Sequence, residues 1–263
     1  MQSVAAVISR PRFKLQADGS NMRHLFARVR CLGMLVSSAH GLASLPGSTL
    51  LDPPVHPGIT YALYKPDGYL SQFVNNGKMK KHQRVLGELF ETNNVDMPPG
   101  IMPVGRLDEM SEGLLLLTTN GHLSYSVTAG GIEKEYFAQV DGLVTGKALQ
   151  TMESGLDLNI RGTLMRTSKN CVAKAINNPT LPPRTKKIRD SRHGPMSWLS
   201  VTIAEGKYRQ VRRMTASVGY PTLRLVRVRI GDIHLGDLQP GELRLLDESE
   251  VSGLLDISRE SWQ

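Results

Sequence analysis

Four consecutive leucines, Leu114 to Leu117, are the strongest constraint on how this chain can fold. Gly113 precedes them and Asn120-Gly121 follows them, so the apolar run is short and bounded by turn-forming residues. A run of this length predicts a short buried strand. The loop before the leucines is therefore expected to lead directly into the core.

Arg106 and Asp108 lie on that loop, within the stretch GRLDEMSEGLLLLTTNG that spans 105–121. A loop that is anchored in the core suits a catalytic carboxylate, because it can reach a ligand and still be aimed. The alternative is a surface turn whose charged side chains are merely solvated. Spacing alone favours this alternative.

Patterning along the chain predicts more strands than helices. Helices are expected at 83–90, 121–127, 147–154 (with Thr145 as N-cap) and 210–218. Alternation predicts strands at 59–65, 133–140, 198–203 and 223–230, with two more within 160–175. On the strand 223–230, Arg224 and Arg227 are expected to face away from Leu223 and Leu225. Short turns favour antiparallel pairing, so the predicted fold class is α+β, with one large, mostly antiparallel sheet and flanking helices.

The first 50 residues differ from the rest, because they carry many basic residues and a single acid, Asp18. This composition is typical of an organellar transit peptide, which predicts a mitochondrial or plastid protein. The alternatives are a basic arm that contacts RNA, or a misassigned start codon in a protein of the bacterial cytoplasm. The predicted organisation continues with a Pro-rich linker at 51–58, a folded domain at 59–248 and a polar tail at 249–263.

Bulk composition limits the partners and cofactors. The chain has 263 residues and a net charge of +8, which suggests a polyanionic partner. Two cysteines allow no disulfide framework, and scattered histidines make a metal site improbable. The stretch from Gly142 to Lys147 is one residue too short for a phosphate loop, and Ala148 replaces the required Ser or Thr, so no nucleotide cofactor is expected. No apolar stretch approaches the length of a membrane span.

Three motifs in fixed order resemble those of the RNA pseudouridine synthases, in the RsuA/RluE-like branch. The first is the loop at 105–121, the second is Lys134-Glu135-Tyr136, and the third is EGKYRQVRRM at 205–214. Lys65-Pro66 resembles the opening motif of the family. The resemblance covers roughly 59–246. The RsuA relatives carry an S4-type RNA-binding domain before this region, and the sequence lacks the length and pattern for one.

The resemblance implies a two-lobed catalytic domain with a central RNA cleft, and it implies roles for individual residues. Asp108 matches the essential carboxylate, Tyr136 the tyrosine that stacks on uracil, and Arg212 the arginine that pairs with the carboxylate, with Arg213 as the fallback. Arg106 is a candidate for filling the gap left by a flipped base, and Leu225 matches an apolar pocket residue. Further substrate-binding candidates are Lys65, Lys134, Arg209, Gln210 and Arg213.

The implied activity is isomerisation of uridine to pseudouridine in ribosomal RNA, with large-subunit rRNA or a pre-ribosomal particle as partner. The implied enzyme needs no cofactor and no metal, and it is expected to act as a monomer. Two rival hypotheses are a glycosidase that uses Asp108 and Glu112, and an inactive rRNA-binding or ribosome-assembly factor. The basic loop at 179–195 is expected to be either solvated or in contact with phosphates.

Overall fold

The computed structural model describes residues 58–75, 77, 83–129, 131–184, 186–189 and 191–260. The predicted N-terminal extension and almost all of the linker therefore lie outside the described residues. The described part of the chain belongs to one compact unit, Asp52–Gln263.

Nine of the described strands form the main sheet. They are β1 (Thr60–Lys65), β4 (Met102–Pro103), β5 (Glu112–Thr118), β6 (Lys134–Asp141), β9 (Val172–Ile176), β10 (Met196–Ile203), β11 (Thr222–Ile230), β12 (Ile233–His234) and β13 (Leu243–Leu245). Seven of them lie in the order β13-β1-β5-β11-β6-β10-β9, and the two short strands β4 and β12 pair with β5 and β11 respectively.

Two small strand pairs, five α-helices and one 3-10 helix, Ser191–His193, complete the described fold. The pairs are β2 (Tyr69–Leu70) with β3 (Arg84–Val85), and β7 (Asp157–Ile160) with β8 (Thr163–Arg166). The helices are α1 (Gly87–Thr92), α2 (Gly121–Ala129), α3 (Gly146–Glu153), α4 (Gln210–Ser217) and α5 (Glu248–Glu260). The predicted α+β class with a mostly antiparallel sheet is confirmed, because β5–β11 is the one parallel pairing among the described strands of the main sheet.

Strand β5 is buried at every position, as the leucine run predicts. Its antiparallel neighbour β1 pairs with it from Thr60 opposite Thr118 to Lys65 opposite Gly113. On its other side, β11 contacts only the beginning of β5, where Val226 lies opposite Glu112. The two halves of the sheet thus meet at the point where the Asp108 loop enters β5.

The sheet is covered on both faces, so each strand contributes alternate residues to two separate cores. One core contains Leu115, Leu117, Tyr136 and Leu225, and helix α4 adds Val211 to it. The other core contains Leu114 and Leu116 together with residues of α2 and α5. The second motif of the sequence therefore lies on the α4 side of the sheet.

Two local predictions are wrong. The predicted polar tail begins with helix α5, whose Val251 and Leu254 are buried against the core that α2 also covers. The predicted helix at 83–90 is divided, because β3 pairs with β2 before α1 begins at Gly87. Within the described residues, no helix is long and apolar enough to span a membrane.

Candidate active site

The Asp108 loop connects β4 to β5 and is pinned at the residue before Asp108. The backbone N–H of Leu107 donates to Ser71 Oγ at 3.1 Å, and Ser71 Oγ donates to the Leu107 carbonyl at 2.9 Å. The Leu107 side chain is buried, and the Ser111 N–H closes a turn onto the Asp108 carbonyl. The Asp108 carboxylate is 25% exposed at the surface of this anchored loop.

Lys65 supports the loop from the end of β1 and does not face the pocket. Its Nζ donates to the carbonyls of Glu109 at 3.2 Å and Ser111 at 2.9 Å, which flank the turn after Asp108. The side chain is fully buried, and this desolvation lowers the pKa of Lys65 to about 7. The prediction that Lys65 binds substrate is therefore wrong, because β1 runs beneath the loop and encloses the ammonium group.

Arg209 is the cation in contact with Asp108, with Nη1 3.5 Å from Oδ2. Arg209 immediately precedes α4 and has a left-handed backbone, with φ at 51°. This conformation is uncommon for a residue with a side chain and is often found at functional sites.

Arg212 does not form the predicted ion pair, because its guanidinium is occupied by the loop backbone. Its Nη2 donates to the Met110 carbonyl at 2.9 Å, and its Nε lies 3.4 Å from Ser111 Oγ. Burial, followed by the charge of Arg209, lowers the pKa of Arg212. Arg212 thus holds the segment that follows Asp108.

Arg213, the fallback partner, contacts a different part of the chain. Its Nη1 donates to the Asn159 carbonyl of β7, and its guanidinium lies 5.7 Å from the ring centre of Tyr208. Successive residues of a helix point in different directions, so Arg212 and Arg213 cannot both reach the same loop.

A pocket of about 160 Å³ opens beside Asp108 and brings together most of the predicted residues. Tyr136 and Leu225, both largely buried, come from the neighbouring strands β6 and β11. The predicted residues on the pocket wall are Arg106, Asp108, Lys134, Tyr136, Arg209, Gln210 and Leu225. Asp108 is the only acid among the described residues that line this pocket.

Arg227 and Lys207 also line the pocket, and neither was among the substrate-binding residues predicted from the sequence. Arg227 was expected to face away from Leu225, which is wrong, because residues two apart on a strand share a face. The signal was therefore available in the spacing of β11. Arg224, one residue from Leu225, lies on the other face and contacts Glu112.

Glu112 is buried in ion pairs and does not line the pocket. Arg184 Nε lies 3.0 Å and Arg224 Nη2 2.9 Å from its two carboxylate oxygens. A two-carboxylate glycosidase needs both acids in one cleft, so this geometry contradicts the glycosidase hypothesis.

The basic loop at 179–195 is partly tied to the fold. Arg184 also contacts Asp67 at 2.6 Å and has a largely buried side chain, and Arg189 pairs with Asp141. These two cations of the loop are therefore neutralised by carboxylates. Lys186 is exposed and lies 3.9 Å from Asp67, and Lys187 is exposed.

The sequence pattern of the family described as RNA pseudouridylate synthase matches residues 59–217. Ribosomal large subunit pseudouridine synthase E of Xanthomonas campestris pv. campestris is 43% identical over 191 residues, which cover 72% of this chain and 96% of the relative. The protein of the same name from Vibrio parahaemolyticus is 39% identical over 180 residues, which cover 68% of this chain and 69% of the relative.

A solved structure agrees with these sequence matches. The protein titled "Crystal structure of pseudouridylate synthase" is 29% identical, with a TM-score of 0.57 over 75% of this chain and 74% of its own length. The sequence pattern, the relatives and the solved structure all indicate the same family. The chain therefore belongs to the RNA pseudouridine synthases, in the RsuA/RluE-like branch that its motifs resemble.

Proposed function

We propose that this chain isomerises uridine to pseudouridine in large-subunit ribosomal RNA, with Asp108 as the catalytic carboxylate. The observation that carries the proposal is the pocket in which Asp108, Tyr136 and Leu225 face one another. The relatives named as large-subunit synthase E support the choice of RNA.

The reaction breaks the N1–C1′ bond, turns the uracil and joins C5 to C1′. The C5 proton is lost and N1 gains a proton, so atoms and charge balance without an added reactant. Asp108 attacks the sugar, attacks the base or removes a sugar proton. In each version the carboxylate starts ionised, and Arg209 is placed to stabilise that charge.

Tyr136 and Leu225 supply surfaces for a flat base. A uridine inside an RNA helix cannot reach Asp108, so the nucleotide must be flipped out or lie in a single strand. Tyr136 then stacks on the uracil, as aromatic side chains do with unstacked bases. Arg106, on the rim beside Asp108, is placed to enter the gap that the flipped base leaves.

The pocket entrance is suited to a phosphate backbone. Arg106, Lys207 and Arg209 line the walls of the pocket, and a neighbouring cleft that contains the same residues extends to Arg161 and Tyr208. Cations of this kind bind RNA phosphates whatever the sequence. The guanidinium carbon of Arg161 lies over the Tyr208 ring, 4.6 Å from the centre of that ring.

The decisive experiment is pseudouridine mapping of rRNA incubated with the purified protein and with Asp108→Asn. The wild-type protein should produce pseudouridine at one or a few positions. The variant should fold and bind RNA normally but leave no pseudouridine, because an amide cannot act as the carboxylate does.

Two outcomes would contradict this proposal. Substantial turnover by Asp108→Asn would show that the reaction does not need the Asp108 carboxylate. If wild-type protein forms no pseudouridine and Asp108→Asn restores growth to a deletion strain, the chain is instead an rRNA-binding or assembly factor.

A further inference from the structure

Two buried cations line the pocket beside Tyr136. Lys134 precedes Tyr136 by two residues on β6 and therefore shares its face, and Arg227 lies opposite Tyr136 on β11. Their exposed fractions are only 7% for Lys134 and 5% for Arg227. The guanidinium carbon of Arg227 lies 6.0 Å from the centre of the Tyr136 ring.

Neither cation is paired with a carboxylate in the part of the chain that the structure describes. Arg227 Nε donates to the Leu114 carbonyl at 2.7 Å, while its Nη2 is buried without a hydrogen-bond partner there. Lys134 Nζ donates to the Ala204 carbonyl at 3.1 Å. Burial, followed by the charge of Arg227, lowers the pKa of Lys134 to about 8.

Two like charges buried side by side are unfavourable unless something negative compensates them. Ile203 and Ile230 lie opposite Lys134 on the neighbouring strands and line the pocket with it. A solvated phosphate would lose its water there, so the backbone of an RNA is better bound at the open rim. A flat heterocycle with carbonyl oxygens fits this end of the pocket.

We propose that Arg227 and Lys134 bind the carbonyl oxygens of the flipped uracil and stabilise the negative charge that the ring acquires during the reaction. This inference rests on the proposed function, and it assigns to these two residues a catalytic contact with the base itself. Preorganised cations in a site that excludes water are the usual way in which proteins stabilise such charge.

The charge arises whichever role Asp108 plays. If Asp108 attacks C1′ or removes a sugar proton, the N1–C1′ bond breaks and its electron pair leaves with uracil, which becomes an anion with charge on N1, O2 and O4. If Asp108 adds to C6, the electron pair of the C5–C6 double bond moves towards O4. The charge is consumed when C5 bonds to C1′. Asp108 is then displaced from C1′, leaves C6 or returns the sugar proton, according to its role, and a proton leaves C5 while N1 gains one.

The test compares Arg227→Ala and Lys134→Gln with the wild-type protein in single turnovers of an rRNA fragment at saturating enzyme. Each variant should convert uridine on the order of a hundredfold more slowly, as expected for the loss of one charge-stabilising donor. The dissociation constant for RNA should change by less than about threefold, because neither side chain contacts the backbone.

Added guanidinium ion separates a catalytic role from a structural one. It should restore part of the rate to Arg227→Ala by occupying the vacated space, whereas sodium chloride at the same ionic strength should not. Arg229→Ala is the matched control, since Arg229 lies on the same strand but pairs with Glu133 and Glu135. This control should keep the wild-type rate and respond to neither salt.

The inference fails if both variants convert uridine at the wild-type rate, or if their loss lies entirely in RNA affinity. It also fails if guanidinium does not restore the rate of Arg227→Ala and Lys134→Gln converts uridine at the wild-type rate. Lys134→Gln tests the same site from another strand. Failure of the proposed function is a different result, in which the wild-type protein itself forms no pseudouridine.

Discussion

Asp108 is held by side chains from separate parts of the chain. Arg209 contacts its carboxylate, whereas Lys65, Arg184 and Arg212 donate to backbone carbonyls between Glu109 and Ser111. The two kinds of contact have different consequences, because one stabilises a charge and the other fixes the position of the loop.

Arg209 and Arg212 should therefore respond differently to removal of their charge. Arg209→Met leaves the ionised Asp108 without its counter-ion, so it should slow pseudouridine formation with little effect on stability. Arg209→Lys should keep more activity, because it retains a point charge without the planar fork. Arg212→Met should also lose most activity, by displacing the loop, and it should lower the free energy of unfolding because the contacts with Met110 and Ser111 are lost. Rates of pseudouridine formation and urea unfolding of the variants test this, and a lowered free energy of unfolding in the Arg209→Met variant alone would reverse the assignment.

Lys65 makes stability depend on pH. Burial lowers its pKa from 10.5 to about 7 in the folded protein, whereas the unfolded chain retains the ordinary value. Between these pH values the unfolded chain binds the additional proton, so raising the pH favours the folded state. The free energy of unfolding should gain a contribution of up to about 1 kcal/mol per pH unit in this range. Urea unfolding of wild type and Lys65→Met at pH 7 and pH 9 measures it, and a constant difference between the two proteins would contradict it.

The parallel contact between β5 and β11 determines where the Asp108 loop lies relative to the pocket. Gly113, which lies opposite Arg227 in this contact, has a positive φ of 99°. A methyl group there would lie 2.7 Å from the backbone nitrogen of Arg227 and closer still to its carbonyl oxygen. The two strands can approach only because this residue is glycine.

Gly113→Ala should therefore lower the free energy of unfolding by about 3 kcal/mol or more, since a strained backbone and a backbone clash coincide. Any folded fraction should also lose activity, because β5 must move away from β11. Gly253→Ala is the control: it lies inside α5, where a methyl group meets nothing within 4 Å, and should be neutral or stabilising. Equal stability of the two variants would show that the strands tolerate separation.

The net charge of +8 does not measure how many cations of the whole molecule are free to bind RNA phosphates, because some of them are paired with carboxylates. Arg184 and Arg189 already have carboxylate partners within the fold. An exposed cation such as Lys187, which has no carboxylate partner among the residues that the structure describes, is better placed to neutralise phosphates.

RNA affinity should depend strongly on salt concentration. Substitution of Lys187 should weaken this dependence, whereas substitution of Arg184 should not. Lys187→Gln should reduce the slope of log K against log salt by about one unit, if Lys187 contacts one phosphate. Arg184→Gln should leave the slope unchanged but destabilise the fold, because Asp67 and Glu112 would lose a buried partner. Binding titrations at several salt concentrations, with thermal unfolding alongside, measure both effects. A flat affinity in the wild-type protein would contradict a phosphate-binding surface.

Features that depend on residues close together in the sequence could be predicted before the fold was known. The leucine run specified a buried strand, alternation specified β6, β10 and β11, and the motif around Asp108 identified the loop at the pocket. These patterns involve residues that are close in sequence, so they can be recognised without knowledge of the fold. Helix α5 shows the limit, because Val251, Leu254 and Leu255 pack it against the core although the surrounding sequence is polar.

The pairing of charged groups, in contrast, depends on how distant parts of the chain pack together. Arg209, Arg212 and Arg213 are near neighbours in sequence, yet they contact Asp108, the Met110 carbonyl and the Asn159 carbonyl respectively. The burial of Lys65 likewise depends on strands that pair across long stretches of chain, as does the position of Arg227 Nη2, which has no hydrogen-bond partner among the described residues. Ion pairs and desolvation act over a few ångströms in space, and the packing of α4 and β11 against the loop sets those distances.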